Sequence, residues 1–434
     1  MKPTQTSRVA IIGGGYAGMA AAVELAAAGR QVAVFEAGKV LGGRARRLDV
    51  DGLVLDNGQH LVVGAYRELL RLMTQVGIDE ASAFLRQPLD LSLHGQFSLR
   101  CPRLPAPLHV AAALLFARGL SLSERWQIVR AMEAAKRSGY RLQQDCSVAQ
   151  WVTDTGQSPQ VLQRMWEPLT LAALNTPVNV ASAQVLLNVL RDSLGASRAA
   201  SDFLLPRLDL STTFPDAAAR YIEQRGGQVR LGVMARHLQR LDDGWQFEGS
   251  DGQTFDTLIC ALPPHRASML LGALPPLSGL CAQLDNWHYQ PIYTVYLRYP
   301  PQCRLPKPIQ GMLGGYVQWL FDRSDTHGQP GVLAAVISAD GPHAQLGRDA
   351  LAKAVAAEIR AAFPGFAAPL WHQVIAEKRA TFACTPGLQR PANATGLPGL
   401  WLAGDYTAGD YPATLEGAVR SGVQAAGLIL QSLQ

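Results

Sequence analysis

The chain has 434 residues, of which 48% are hydrophobic and 17% charged, so its composition indicates a globular protein with a large core and excludes extensive disorder. Its net charge of +5 reflects six lysines and thirty-three scattered arginines against 34 acidic residues, which gives little support to nucleic-acid binding. The six cysteines are far apart and show no CxxC or Cys/His ligand spacing. We therefore predict neither a disulfide framework nor a metal site, and a reducing, cytoplasmic location.

Two further segments, the N-terminus and the longest apolar run, bear on where in the cell the protein is located. Residues 1–7 are a polar lead without the small-residue cleavage site of a signal peptide, so no export signal is predicted. Residues 108–120 are too few to span a bilayer, which needs about 20 apolar residues. Transient contact with a membrane surface, at the inner face of the cytoplasmic membrane, stays an open alternative for this run.

Residues 8–36 predict a complete βαβ unit with a Gly-x-Gly-x-x-Gly loop between its first strand and its alanine-rich helix. The three glycines allow a tight turn, close approach to a pyrophosphate, and close packing of helix on strand. An acidic residue ends the second strand, where it accepts hydrogen bonds from ribose hydroxyls and repels a 2′-phosphate, which favours NAD or FAD over NADP. The predicted cofactor contacts are Gly13, Gly15, Tyr16, Ala17, Gly18, Glu36 and Ala37.

Two further segments follow this unit. Gly42, Gly43 and Arg44 form a second glycine turn with a guanidinium that suits phosphate or the edge of a flavin. An apolar strand then leads into a turn-rich loop, which is predicted to bind the cofactor through Asn57, Gly58, Gln59 and His60. The alternatives without a functional role are that Arg44 is a surface arginine and that His60 is an ordinary, hydrogen-bonded loop histidine.

The middle of the chain predicts a second domain. Apolar residues recur at helical spacing up to about residue 205, and Ser121 with Glu124 gives a capping-box pattern at the start of one helix. A helix from residue 215 and short strands near 229–233, 244–248 and 257–260 follow. The alternation in 292–297 predicts a strand with one buried face. Its aromatic residues either line a tunnel for a long hydrocarbon or belong to the core.

The C-terminal segment predicts a strand at 400–403, a Gly404-Asp405 pair at its end, and a helix that begins at 412–414. Asp410 has two interpretations. Buried beside a hydrocarbon substrate, its raised pKa would keep it protonated as a general acid. Alternatively, it is the N-cap of the helix, which is the commoner role of aspartate in such a position.

Together these motifs resemble the flavin amine oxidase and phytoene desaturase superfamily and, within it, the hydroxysqualene dehydroxylases of bacterial hopanoid synthesis. The resemblance implies an α/β fold: a Rossmann-like FAD-binding domain of the glutathione-reductase type with an inserted α+β substrate domain. The FAD-binding domain would comprise residues 1–88, 206–264 and 387–434. The helical part of the substrate domain would be 89–205, and its sheet and helix 265–386.

The resemblance also implies the chemistry. It predicts a FAD-dependent oxidoreductase that replaces the hydroxyl of hydroxysqualene, a lipophilic isoprenoid, by hydrogen to give squalene. It adds the cofactor contacts Val233, Gly404, Asp405, Pro412, Ala413, Thr414 and Ala418, and the candidate acids Asp410, Tyr411 and His60. The final segment has no cysteine, so the FAD is expected to be non-covalent.

Two alternatives remain open from the sequence. The first is a desaturase or amine oxidase of the same fold that acts on another isoprenoid or on an amine. The second is a flavin-bearing isoprenoid carrier without catalysis.

Overall fold

The structure is a computed structural model that describes residues 8–432. The predicted polar lead at 1–7 lies outside the described residues, as do the last two residues of the predicted segment 387–434. The strands are, in chain order, β1 (Arg8–Ile12), β2 (Gln31–Glu36), β3 (Arg47–Val50), β4 (Leu53–Asp56), β5 (Val62–Val63), β6 (Phe84–Gln87), β7 (Asp90–Leu93), β8 (Phe97–Arg100), β9 (Phe203–Pro206), β10 (Gln228–Leu231), β11 (Arg236–Leu241), β12 (Gly244–Glu248), β13 (Thr257–Cys260), β14 (Tyr289–Arg298), β15 (Ile309–Gly311), β16 (Trp319–Asp322), β17 (Val332–Ser338), β18 (Trp371–Phe382) and β19 (Leu400–Leu402).

The helices are, in chain order, α1 (Tyr16–Ala27), α2 (Arg67–Gln75), α3 (Glu80–Ala83), α4 (Leu108–Leu115), α5 (Leu122–Arg137), α6 (Val148–Asp154), α7 (Pro159–Val161), α8 (Glu167–Leu174), α9 (Ala183–Ser193), α10 (Arg198–Ser201), α11 (Leu210–Thr213), α12 (Pro215–Glu223), α13 (Pro264–Leu271), α14 (Ser278–Asp285), α15 (Ser324–His327), α16 (Arg348–Ala362) and α17 (Leu415–Ser432). A π-helical turn, Leu162–Trp166, joins α7 to α8. Among residues 8–432, no helix combines the length and the apolar character needed to cross a membrane.

A parallel sheet in the order β10-β2-β1-β13-β19 carries the dinucleotide motif. Its central strand β1 is apolar and almost wholly buried, as expected for a parallel strand that is covered on both faces. The helix α1 connects β1 to its neighbour β2, so the βαβ unit predicted over 8–36 is confirmed. All five strands end at the same edge of the sheet, and that edge is where a ligand of such a fold binds.

The helix α1 is buried along most of its length because it lies between this sheet and the helices α12 and α17. Small residues let the helices approach closely. A Cβ at Gly422 of α17 would lie 2.2 Å from the carbonyl oxygen of Ala17, so this crossing requires a glycine. The N-terminal and C-terminal parts of the chain thus form one packed layer.

A second sheet has the order β18-β14-β17-β16-β15-β7-β8. The prediction that 89–205 is helical is wrong for its first residues, because β7 and β8 form a hairpin that joins this sheet through β15. The alternation of Leu91, Leu93, Phe97 and Leu99, all buried, is the period-two pattern of a strand pair. From α4 to α10 the segment is helical, its last residues enter the strand β9, and the capping box of Ser121 and Glu124 starts α5 as predicted.

The strand β14 exists as predicted, but the expectation of one buried face is wrong. Tyr296 packs with the core beneath the helical segment, while Val295 and Leu297 pack with the core under α16. Both faces are buried because α16 packs against β14 on the side of Val295 and Leu297. The division of the chain into two domains with the boundaries given above stays a prediction.

Candidate functional site

The first glycine loop leaves a space lined by backbone. Gly13 adopts a φ of +115° and its amide donates to the Phe35 carbonyl at 2.8 Å, which fixes the turn. A Cβ at Gly18 would lie 2.0 Å from the Gly13 oxygen, so α1 could not pack on β1 with a larger residue there. A Cβ at Gly15, in contrast, would meet no described atom closer than 3.9 Å. The space that this Cβ would fill is the predicted pyrophosphate cradle.

The two other loop residues are turned inward. The Tyr16 hydroxyl donates to the Leu210 carbonyl at 2.7 Å, and Ala17 packs in the core against α17. Only their backbone amides, in the first turn of α1, can therefore face the cradle. Such amides have no acceptor within the helix and suit an anion.

The second glycine turn lies directly against the first. The Gly42 amide donates to the Gly14 carbonyl at 2.9 Å, and Gly42 forms an isolated parallel bridge with Gly15. Both Gly42 and Gly43 have positive φ, and a Cβ at Gly43 would lie 3.3 Å from the Gly15 Cα. The second glycine turn therefore packs on the first, a contact that the sequence did not predict.

The end of β2 brings Glu36, Ala37 and Val233 together. The Glu36 carboxylate accepts from the amides of Gly14 and Gly38, each at 2.7 Å. The Val233 amide donates to the Glu36 carbonyl at 2.9 Å, and Ala37 is exposed beside them. These residues lie at the strand end where the ribose and base of a dinucleotide bind.

Arg44 joins the N-terminal motifs to the C-terminal motif. Its Nη2 lies 2.6 Å from Oδ1 of Asp405, whose side chain is 7% exposed, and its Nη1 donates to the Ala380 carbonyl of β18 at 2.7 Å. Arg390, which the sequence did not predict, donates to the backbone oxygens of Asp405 and Tyr411 at 2.6 Å. Arg390 belongs to no sequence motif, because the backbone oxygens that it contacts come close to it only when the chain is folded.

The 57–60 loop lies between this turn and the second sheet. Asn57 donates through Nδ2 to the Arg44 carbonyl at 3.0 Å and to Oε2 of Glu377 at 3.2 Å. The amide of Gln59 donates to Oγ1 of Thr294 at 3.3 Å, and Gly58 passes close to the same threonine. The strands β14 and β18 therefore cover the predicted cofactor loop, and Thr294 and Glu377 are site residues that the sequence did not reveal.

His60 is half-buried, and its Nδ1 lies 2.7 Å from the Gly58 carbonyl. A carbonyl oxygen only accepts, so Nδ1 carries the hydrogen. Burial, with the Arg44 charge as a smaller cause, lowers the pKa of His60, so the imidazole is neutral at pH 7. Its Nε2 is then an acceptor, which suits orientation of a hydroxyl group better than donation of a proton.

Beneath this loop lies a buried charged cluster. Asp56 is 1% exposed, accepts from the Leu210 amide at 2.8 Å, and has its Oδ2 3.6 Å from the guanidinium of the fully buried Arg323. Arg323 also donates to Oε1 of Gln59 at 2.7 Å. Burial raises the pKa of Asp56 to about 6, and burial lowers that of its neighbour His327 to about 3. This cluster fixes the side chain of Gln59 within the loop.

The C-terminal motif places Gly404 and Asp405 after β19, as predicted. The predicted start of the helix at Pro412 is wrong, because α17 begins at Leu415 and Oγ1 of Thr414 accepts from the Gly417 amide at 3.0 Å. Thr414 is therefore the cap. Pro412 is buried, and Ala413 and Ala418 are half-buried on either side of this cap.

Both interpretations of Asp410 are wrong. Its side chain is 61% exposed and its Oδ2 lies 3.2 Å from Nη2 of Arg191 in α9, so it is not the buried residue that the first interpretation requires. It also precedes the first residue of α17 by five positions and so does not cap the helix. The sequence could not show Arg191, which comes from a distant helix.

Tyr411 contacts residues of α9 and α17. Its hydroxyl donates to Oδ2 of Asp192 at 2.5 Å, and the guanidinium of Arg420 lies 4.4 Å from its ring centroid. Burial, together with this hydrogen bond, raises the pKa of Tyr411. Its proton is thus committed to a structural contact between α9 and the C-terminal motif.

Two other phenols lie at the site with hydroxyls that are buried and lack a hydrogen-bond partner among residues 8–432, namely those of Tyr289 and Tyr406. Burial raises the pKa of both, so both stay protonated at neutral pH. The charges of Arg379 and Arg44 act on Tyr289 in the opposite direction. Orphaned donors beside the Arg44–Asp405 pair are what a site for a polar cofactor and substrate would contain. Residues 8–432 include no group of three His, Cys, Asp or Glu side chains arranged to hold a metal ion.

Residues 16–430 match the sequence profile of the family "Flavin containing amine oxidoreductase". Among curated proteins, the chain is similar to a hydroxysqualene dehydroxylase of Rhodopseudomonas palustris, with 31% identity over 97% of this chain and 98% of the relative. A hydroxysqualene dehydroxylase of Sinorhizobium fredii is 30% identical with the same coverage. Among solved structures, cyclohexylamine oxidase from Brevibacterium oxydans has a TM-score of 0.70 at 19% identity, over 99% of this chain and 100% of that one, and shows the same fold.

Proposed function

Since the chain belongs to the flavin containing amine oxidoreductase family and is an oxidoreductase, we propose that it uses FAD to replace the hydroxyl of hydroxysqualene by hydrogen, giving squalene. The substrate assignment rests on the sequence similarity to two hydroxysqualene dehydroxylases, which extends over 97% of this chain and 98% of each relative. A fold alone would not indicate a substrate.

The residues at the carboxyl edge of the parallel sheet fit FAD. The space at Gly15, bounded by Gly43 and the first-turn amides of α1, would hold the pyrophosphate. The Glu36 carboxylate and the neighbouring Val233 would hold the adenosine end. Arg44 and Asp405 would hold the ribityl part, and the 57–60 loop the ring.

A reduced flavin, when bound, would supply the hydride equivalent for this reaction. The protein must then deliver one proton, so that the hydroxyl leaves as water and the charges balance. We assign this proton to Tyr289, because its hydroxyl is unpartnered within residues 8–432 and burial keeps it protonated. Arg379 and Arg44 would stabilise the phenolate that remains until solvent returns the proton. His60, with Nε2 free to accept, would orient the hydroxyl.

The proposed reaction is tested by identifying the lipid that the enzyme forms from hydroxysqualene. Anaerobic enzyme, with its flavin reduced by dithionite, is incubated with hydroxysqualene, and the lipid product is analysed by mass spectrometry. We expect squalene and one equivalent of oxidised flavin per turnover. Formation of no squalene, combined with reduction of the oxidised enzyme by phytoene or a polyamine, would identify a desaturase or an amine oxidase instead. Flavin that no substrate reduces or oxidises would indicate a carrier.

The proton donor is tested by single turnovers of pre-reduced enzyme. Tyr289→Phe removes the hydroxyl, and we expect the rate to fall by about 10²- to 10⁴-fold, as for loss of a general acid. Asp410→Asn is the matched control: its side chain is exposed and paired with Arg191, so its rate should stay within about twofold of the wild type. Equal rates in Tyr289→Phe and wild type would remove Tyr289 from the mechanism.

A further inference from the structure

The exposed apolar residues are concentrated on one segment. Of the thirteen large hydrophobic side chains exposed within residues 8–432, six lie between positions 104 and 126. They are between 40% and 77% exposed, with Phe116 and Leu122 the most exposed of them. We call these residues the apolar patch: Leu104, Leu108, Leu115, Phe116, Leu122 and Trp126.

Four of the six patch residues lie on two helices, α4 and α5. Leu108 and Leu115 are seven residues apart on α4, and Leu122 and Trp126 are four apart on α5, so each pair shares a helix face. Arg125 ties the helices together: it donates to the Leu115 carbonyl at 2.5 Å and to that of Leu120 at 3.2 and 3.3 Å. The end of α4 is thus held against the first turn of α5.

Within residues 101–130, which contain the apolar patch, the exposed charged side chains are all positive. Arg103, Arg118 and Arg130 are exposed within residues 101–130. The only acidic residue of that segment, Glu124, is buried and accepts from the Ser121 amide at 2.7 Å and from the Ser158 hydroxyl at 2.9 Å. This segment therefore presents apolar side chains and positive charge to the outside. The next carboxylate along α5, that of Glu133, is exposed and lies 3.6 Å from Nη2 of Arg137.

The patch lies beside β8, at the opposite edge of the second sheet from β14 and β18. The helix α4 contacts β8, the edge strand, and Arg118 forms an isolated bridge with Ser98 of that strand. The strands that cover the 57–60 loop, β14 and β18, lie at the other side of the sheet. Contact through the patch would therefore leave the cofactor edge uncovered.

We propose that the apolar patch docks the protein on an anionic lipid surface. Leucine, phenylalanine and tryptophan side chains inserted at the level of the headgroups, combined with arginines that meet anionic lipids, are the features of an interfacial helix. The exposed arginines Arg103, Arg118 and Arg130 beside these apolar side chains favour an anionic lipid surface over a protein partner. The surface would place the substrate domain at a membrane, where lipophilic molecules are held.

Binding of the holoenzyme to lipid is measured by sedimentation with phosphatidylcholine vesicles and with vesicles that contain about one third phosphatidylglycerol. We expect the wild type to bind the anionic vesicles, and to bind less at high salt. The double variant Phe116→Ser/Trp126→Ser should lower the partition coefficient at least tenfold. The matched control Met269→Ser/Leu370→Ser, at two equally exposed positions outside the patch, should stay within twofold. Retained flavin absorbance verifies folding in each case.

Two outcomes would overturn the proposal. One is absence of wild-type binding to either kind of vesicle, or equal binding by the patch and control variants. The other is a wild-type dimer, seen by analytical ultracentrifugation, that the patch variant loses while vesicle binding stays the same; the patch would then be an interface between two copies. Trp126→Leu keeps the apolar side chain and should retain binding, which separates insertion from a specific role of the indole. This test is independent of the substrate.

Discussion

The carboxylate of Asp56 at the end of β4 is held in the interior by an amide of α11 and by the guanidinium of Arg323. Burial outweighs the attraction of that guanidinium, so the folded pKa is about 6 against an ordinary value of 3.8. The folded protein therefore binds this proton more tightly than the unfolded chain does. The stability that the proton provides is complete below about pH 4 and is lost as the pH rises through 6.

Asp56→Asn should remove this pH dependence. Two pKa units correspond to about 3 kcal/mol, so the wild-type free energy of unfolding should fall by up to about 3 kcal/mol between pH 4 and 7 because of this group. The variant should lack this part of the decrease, whatever its overall stability. Urea unfolding across this pH range measures it, with Asp242→Asn in an exposed turn as the control. Parallel pH profiles for Asp56→Asn and wild type would contradict the raised pKa.

Single residues were predictable where the backbone alone determines their position. Gly13, Gly15 and Glu36 lie where the spacing along β1, α1 and β2 puts them. Asp410 was not predictable, since its environment depends on Arg191, which is 219 residues away in the chain. Tyr289 showed no motif at all, because its importance comes from an unpartnered hydroxyl that only the folded site reveals.

At the scale of elements, the crossing of α1 and α17 joins the two ends of the chain. Gly422→Ala would place a methyl group 2.2 Å from the Ala17 carbonyl oxygen, so the helices must move apart. We expect a loss of about 1–3 kcal/mol, typical of overpacking, and weaker flavin binding because α17 follows the C-terminal motif. Thermal unfolding and flavin titration measure the two effects.

Gly427→Ala in the same helix is the matched control. A Cβ there meets no described atom within 4 Å, so the change should stabilise the helix by about 0.5–1 kcal/mol. If both substitutions had the same effect, the close crossing at Gly422 would not be a determinant of stability.

Elements were predicted best where one period extended over many residues, as in β1, α1 and β2. The hairpin of β7 and β8 was missed because its alternation covers only 11 residues and precedes a long helical segment. The second covered face of β14 was missed because α16, which covers it, lies 50 residues later in the chain. Local patterns indicate an element, whereas its neighbours depend on the tertiary fold.

At the scale of the molecule, five separated segments meet at the edge of the parallel sheet: the first glycine loop, the second glycine turn, the 57–60 loop, the end of β10 and the C-terminal motif. Contacts such as Arg44 with Asp405 connect positions 361 residues apart. A ligand that bridges these segments binds the folded chain and not the unfolded one. It must therefore stabilise the whole molecule by mass action.

Removal of the flavin should thus lower the thermal midpoint of the whole protein, and free FAD should restore it. At 100 times the dissociation constant the gain is about 2.7 kcal/mol, which corresponds to a shift of a few degrees in a chain of this size. Acid precipitation should release the flavin intact, since we expect no covalent link. Riboflavin lacks the pyrophosphate and adenosine, so at equal concentration it should restore far less.

Gly15→Ala distinguishes a role of Gly15 in binding the pyrophosphate from a role in the stability of the fold. Its backbone is extended, with φ −78°, and the added methyl meets no described atom closer than 3.9 Å, so the flavin-free variant should melt with the flavin-free wild type. The methyl occupies the space assigned to the pyrophosphate, so the variant should lose most of the shift that FAD produces. An unchanged shift would mean that the pyrophosphate lies elsewhere, and a lower midpoint without flavin would mean that Gly15 serves packing instead.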